Sequence, residues 1–64
     1  MNAAIEWRKV DDYYWSGPPG WTICRVWLQG RYRHELWQSE GQPRLVGTGE
    51  TFADAQRLYI ELKA

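Results

Sequence analysis

Residues 5–10 alternate apolar and polar side chains, Ile5 and Trp7 against Glu6 and Arg8. This period of two predicts a first strand with one buried face. Asp11 and Asp12 favour a turn, after which Tyr13-Tyr14-Trp15 resumes an extended path. Ser16-Gly17-Pro18-Pro19-Gly20 is the strongest breaker in the chain and predicts a stiff loop, because proline fixes φ and lacks a donor. Residues 21–28, WTICRVWL, are β-branched and aromatic and apolar on both faces, as a central strand requires. Gln29-Gly30 closes that strand, with glycine supplying the positive φ of a tight turn. Residues 31–37 then return as the hairpin partner. Beyond the loop at 39–43, Arg44-Leu45-Val46 predicts a short strand bounded by Pro43 and Gly47.

The period changes after Thr51. Residues 52–62 hold helix formers at most positions and no breaker. Thr51 is placed to cap this helix, and Asp54 three residues on completes a capping-box-like pair at the positive helix end. Phe52, Ala55, Tyr59 and Leu62 share a stripe, with Leu58 beside it, that should pack on the sheet. The expected architecture is α+β: a three- or four-stranded antiparallel sheet packed on one carboxy-terminal helix, with residues 1–64 as a single domain.

Size and composition sharpen this picture. A chain of 64 residues withholds only about 60% of its unfolded surface from water. Its five tryptophans, four tyrosines and one phenylalanine carry about 150–250 Å² each, too much for so small a core to enclose. Some aromatics therefore lie on the surface, as half-buried plates at the rim or as a contact patch. Eight basic and eight acidic residues cancel, which argues against the counterion-release affinity of a general nucleic-acid coat protein. The lone cysteine, Cys24, cannot form an internal disulfide, so a reducing, cytoplasmic setting is expected. The first residues lack the basic patch, apolar run and cleavage site of a leader, and no stretch has membrane-spanning length.

Catalysis is not expected from one histidine, one cysteine and two serines in no recognisable arrangement. Cys24 and His34, on adjacent strands, are the only pair resembling a thiol–imidazole dyad; the plainer expectation is a cysteine packed on the inner face beside a partly buried histidine. No metal and no cofactor are expected. A closed zinc site needs four ligands, and Gly47-Thr48-Gly49 does not run on to the lysine of a phosphate loop.

The hairpin is the informative constellation. With an odd number of turn residues, Cys24, Val26, Leu28, Tyr32, His34 and Leu36 share the helix face, and Ile23, Arg25, Trp27, Arg33, Glu35 and Trp37 share the other. An even-numbered turn exchanges one strand's faces. The first arrangement makes Arg25, Trp27, Arg33 and Trp37 a partner-binding face, since arginine and tryptophan dominate binding hot spots. Its alternative is a solubilising lattice with Arg25–Glu35 and Arg33–Trp27 as pairs.

Residues 46–59, VGTGETFADAQRLY, resemble the end of the plant ethylene-response-factor DNA-binding domain and the related arm-binding domains of tyrosine integrases. Gly47, Thr48, Thr51, Ala55 and Tyr59 match that family's spacing, and Arg57 fits a common residue there. Gly49 stands where the family has phenylalanine, and the family's positive charge is missing. The resemblance implies a three-stranded sheet on a helix packed through Ala55 and Tyr59, with the opposite sheet face reading DNA. In length and in its tryptophan-rich hairpin the chain also looks like small phage or prophage proteins, many of which bind and inhibit a host protein. Two partners are therefore expected in turn. The first is nucleic acid or a nucleoprotein, bound by the arginine–tryptophan face. The second is a host protein such as a defence complex, bound by that face or by the loop at 13–20, with no membrane involved.

Overall fold

The computed structural model describes residues 6–63. Five strands, β1 (Arg8–Asp11), β2 (Tyr14–Ser16), β3 (Trp21–Leu28), β4 (Arg31–Gln38) and β5 (Arg44–Gly49), precede the helix α1 (Phe52–Lys63). The strands form one antiparallel sheet in the order β1-β2-β3-β4-β5. The class is the expected α+β. The sheet gains a strand over the expected count because the short β2 pairs with both β1 and β3. Of the residues expected in the first strand, Ile5 lies outside the described residues, and the ladder begins at Arg8.

Local chemistry sets the connections. Asp11 Oδ1 accepts the N–H groups of Tyr13 (2.7 Å) and Tyr14 (3.0 Å), an Asx turn that closes β1 onto β2. Trp21 N–H donates to Pro18 C=O at 3.0 Å while Gly20 has φ +88°. Proline at the second position and left-handed glycine at the third define a type II turn. Between β3 and β4 the turn is the two residues Gln29 (φ 53°) and Gly30 (φ 81°). Positive φ at both places is the type I′ geometry, whose twist matches that of the flanking strands.

An even-numbered turn overturns the expected sorting of β3. Cross-strand partners are Ile23–Leu36, Cys24–Glu35, Arg25–His34, Val26–Arg33 and Trp27–Tyr32. Tyr32, His34 and Leu36 lie on the helix side as expected, but they are joined there by Ile23, Arg25 and Trp27. Cys24, Val26 and Leu28 lie on the open side with Arg33, Glu35 and Trp37. Burial explains the preference: Ile23 lies between Trp15 and Leu36 in the sheet, and this register buries Ile23 and Leu36 completely.

Ile23, Leu36, Ala55 and Tyr59 are the buried core, ringed by Trp7, Trp15, Trp21, Val46, Phe52 and Leu58. Tyr59 meets Trp7 and Trp21 edge-on, with ring centroids 5.7 and 5.0 Å away. Phe52 lies 4.6 Å from Trp15, centroid to centroid. Trp7 also packs on Gly17, where a side chain would run into its indole. The helix lies chiefly over β4 and β5. It approaches β5 closely because Gly47 and Gly49 face it without side chains. Leu62 departs from the expected stripe and is exposed. In that last turn the Lys63 ammonium stands 5.5 Å over the Trp21 ring, so the buried stripe ends at Tyr59.

The helix cap forms as expected. Asp54 N–H donates to Thr51 Oγ1 (3.1 Å), and Thr51 N–H donates back to Asp54 Oδ2 (3.3 Å). Such a cap satisfies backbone N–H groups that the first turn of a helix leaves unpaired. Desolvation pushes the Asp54 carboxyl up, but the hydrogen bonds from Arg57 and Thr51 outweigh it and hold the group below its ordinary value. The contribution of this carboxylate is therefore complete above its ordinary pKa and fades as pH falls through the lowered one.

Candidate functional site

The β3–β4 hairpin outruns its neighbours. Pairing with β2 stops at Cys24, and pairing with β5 stops at His34. Residues 25–33 consequently form a two-stranded ribbon; a backbone bond from Arg25 N–H to Tyr13 C=O (2.7 Å) ties its base to the rest of the chain. The ribbon carries Arg25, Arg31 and Arg33 and no carboxylate, although the chain as a whole is neutral. Arg31 reaches Glu50 at 3.4 Å, but both groups are exposed and such a pair is weak.

On the helix side, beyond the helix itself, the ribbon holds an aromatic cluster. The Arg25 guanidinium lies 4.4 Å from the Tyr32 ring centroid and 5.5 Å from that of Tyr13. Trp27 and Tyr32, directly opposed, meet at 4.8 Å with an interplanar angle of 74°. Trp27 is 62% exposed, Tyr13 58% and Tyr32 41%. Behind them His34 is buried between Trp15 and Phe52, with centroids 5.8 and 6.2 Å away. Arg25 Nε and His34 Nδ1 are sealed from solvent with no hydrogen-bond partner among the described residues. No carboxylate among the described residues pairs with Arg25.

The four residues expected to share a binding face are divided. Arg25 and Trp27 stand on the helix side, and Arg33 and Trp37 on the open side. The expected pairs Arg25–Glu35 and Arg33–Trp27 do not form, because Arg25 opposes His34 and Arg33 opposes Val26. On the open face Trp37 Nε1 donates to Glu35 Oε1 at 3.0 Å. Tyr14, Leu28 and Leu45, on the same face, are exposed. Tyr32 was expected on the helix face and Tyr13 in the alternative binding loop at 13–20, but neither was expected beside Arg25 and Trp27. Tyr32 falls opposite Trp27 only once the turn is counted as two residues, and Tyr13 reaches Arg25 through the Asx turn.

Cys24 likewise occupies the open side, between Tyr14 and Glu35, not the inner face. His34 is on the other side of the sheet, so the thiol–imidazole dyad does not assemble. Burial, then the negative charges of Glu35 and Asp11, raise the thiol pKa. Because the thiolate is the reactive form, Cys24 in the folded protein should react with a thiol reagent about tenfold or more slowly than in the urea-unfolded chain. Equal rates at neutral pH would show that the folded surroundings neither shield the cysteine nor hold it in the thiol form.

Among the described residues, no three of His, Cys, Asp and Glu gather to hold a metal ion, and no helix is long and apolar enough to cross a membrane. Comparison with family models, curated proteins and solved structures finds no match to this chain.

Proposed function

We propose that the chain is a non-enzymatic binding module that recognises nucleic acid, alone or within a nucleoprotein, through the projecting β3–β4 hairpin. The observation that carries this reading is the segregation of charge. Three arginines and the exposed Trp27 and Tyr32 share a ribbon free of carboxylates in a chain of no net charge. Arginine serves both phosphate and base edges, and exposed aromatic rings offer bases a surface to stack on. Local charge of this kind gives moderate affinity and orientation without the nonspecific grip of a strongly basic protein. The unpaired Cys24 supports a cytoplasmic setting.

Anisotropy titrations of labelled oligonucleotides over a salt series test the reading. Log K should fall with log salt with a slope of about −2 to −3, one phosphate contact per arginine. Replacing Arg31 and Arg33 together by alanine should weaken binding at low salt and reduce that slope by about 2. Absence of any oligonucleotide binding at low salt would overturn it.

A second reading is supported by the open face, where Tyr14, Leu28 and Leu45 are exposed around the half-buried Trp37. There the chain is a phage-type modulator that binds and blocks a host protein. A pull-down that retains its partner after nuclease treatment, with little response to salt, favours this second reading.

A further inference from the structure

We infer that the ligand of the hairpin is single-stranded nucleic acid, with Trp27 as a stacking plate for an unpaired base and Arg25 as the hook for a neighbouring phosphate. The inference rests on the hairpin reading above and narrows it to one substrate class.

Trp27 is largely exposed, yet its ring is oriented by the edge-to-face contact with Tyr32. Such a contact occupies at most one face of either ring. An indole held in place with a free face loses little freedom when a base stacks on it. Every base has a π-face, but in a duplex both faces are covered by neighbouring pairs. The plate therefore serves an unpaired base, or one first unstacked at a cost.

Arg25 complements it. Its guanidinium lies over the rings of Tyr32 and Tyr13, which fixes its direction. No carboxylate among the described residues neutralises it. Only Nε among its nitrogens is sealed off without a partner, so the Nη groups remain to donate to an anion. A charge held by aromatic rings and lacking an internal counterion is a site for a phosphate oxygen. Arg25 and Trp27 sit two positions apart on the same strand face, about 7 Å along the ribbon. That is comparable with one nucleotide of an extended strand, so one phosphate and the adjacent base can engage together. Tyr13 and Tyr32 extend the aromatic surface beside them.

The test compares three probes on the full chain: a labelled thymidine dodecamer, the same dodecamer paired with its complement, and inorganic polyphosphate as a competitor that carries charge without bases. The single strand should bind about tenfold or more tightly than the duplex, and polyphosphate should compete poorly. Trp27→Ala should weaken single-strand binding by roughly tenfold, while Trp27→Phe, which keeps a ring, should retain most of it. Circular dichroism of each variant confirms that the exposed substitution leaves the fold in place.

Duplex binding as tight as single-strand binding would overturn the inference and leave the hairpin reading standing. So would a Trp27→Ala variant that binds the strand normally while the paired Arg31 and Arg33 replacement fails. Failure of strand and duplex alike, in folded protein at low salt, would remove the hairpin reading together with the inference.

Discussion

Tyr59→Ala should destabilise the protein by about 3 kcal/mol or more, close to the whole stability available to so small a fold. Tyr59 is the largest side chain of the buried core, and its ring touches Trp7 near one end of the chain and Trp21 at the start of a central strand. Truncation opens a cavity between α1, the start of β3 and the segment before β1, and rigid indoles cannot collapse into it. Urea or thermal unfolding measures the loss. Tyr59→Phe keeps the ring and should stay close to the parent, which separates packing from the hydroxyl. An alanine variant melting within a few degrees of the parent would mean that the helix is not anchored through this residue.

Gly49→Val should cost about 2 kcal/mol or more, through crowding and not through a cavity. A Cβ at position 49 would lie 2.5 Å from Asp54 Cβ and 3.2 Å from the Ala55 backbone nitrogen. Neither atom is the far end of a flexible side chain, so the first turn of α1 must lift from β5 and strain the reciprocal Thr51–Asp54 cap. Gly47 offers the internal comparison. Its nearest neighbour is Leu58 Cδ1 at 3.1 Å, which a rotamer change can move. Gly47→Ala should therefore be the milder change in the same unfolding experiment, and equal costs at the two positions would argue against close helix approach at Gly49.

Most of the architecture was legible because it is encoded locally. The breaker at 16–20, the β-branched run at 21–28 and the Thr51–Asp54 pair each specify their own geometry. The faces of β4 were legible too, since Arg33 and Glu35 alternate with Tyr32, His34 and Leu36 and mark the polar side. β3 carries no such marker. Ile23, Cys24, Val26 and Trp27 place apolar groups on both faces, so its orientation depended wholly on the length of the turn. Gln29 adopts the left-handed conformation that Asn-Gly or Asp-Gly would have advertised, and a one-residue difference exchanges every side chain of a strand. The candidate site suffered most, because it was assembled across that register. Arg25 and Trp27 proved to be neighbours of Tyr13 and Tyr32, not of Arg33 and Trp37. Leu62 was misplaced for a different reason: helical periodicity gives an angle around the axis but not where the surface beneath it ends.

The spatial order of the strands is also their order along the chain, and this bears on how the molecule assembles. Each strand needs only the one before it, so the ladders can zip from the β3–β4 turn outward, closing short loops at each step. The helix follows its neighbouring strand with the same economy of loop length. The contact of Trp7 with Tyr59 is different, because it joins opposite ends of the described chain. Closing the chain from Trp7 to Tyr59 costs more loop entropy than any step of the ladder, so this contact is expected to form late. A contact made after the folding barrier leaves the folding rate almost unchanged and slows unfolding. Replacing Trp7 by alanine is therefore expected to speed unfolding more than it slows folding, which stopped-flow measurements of both rates would check.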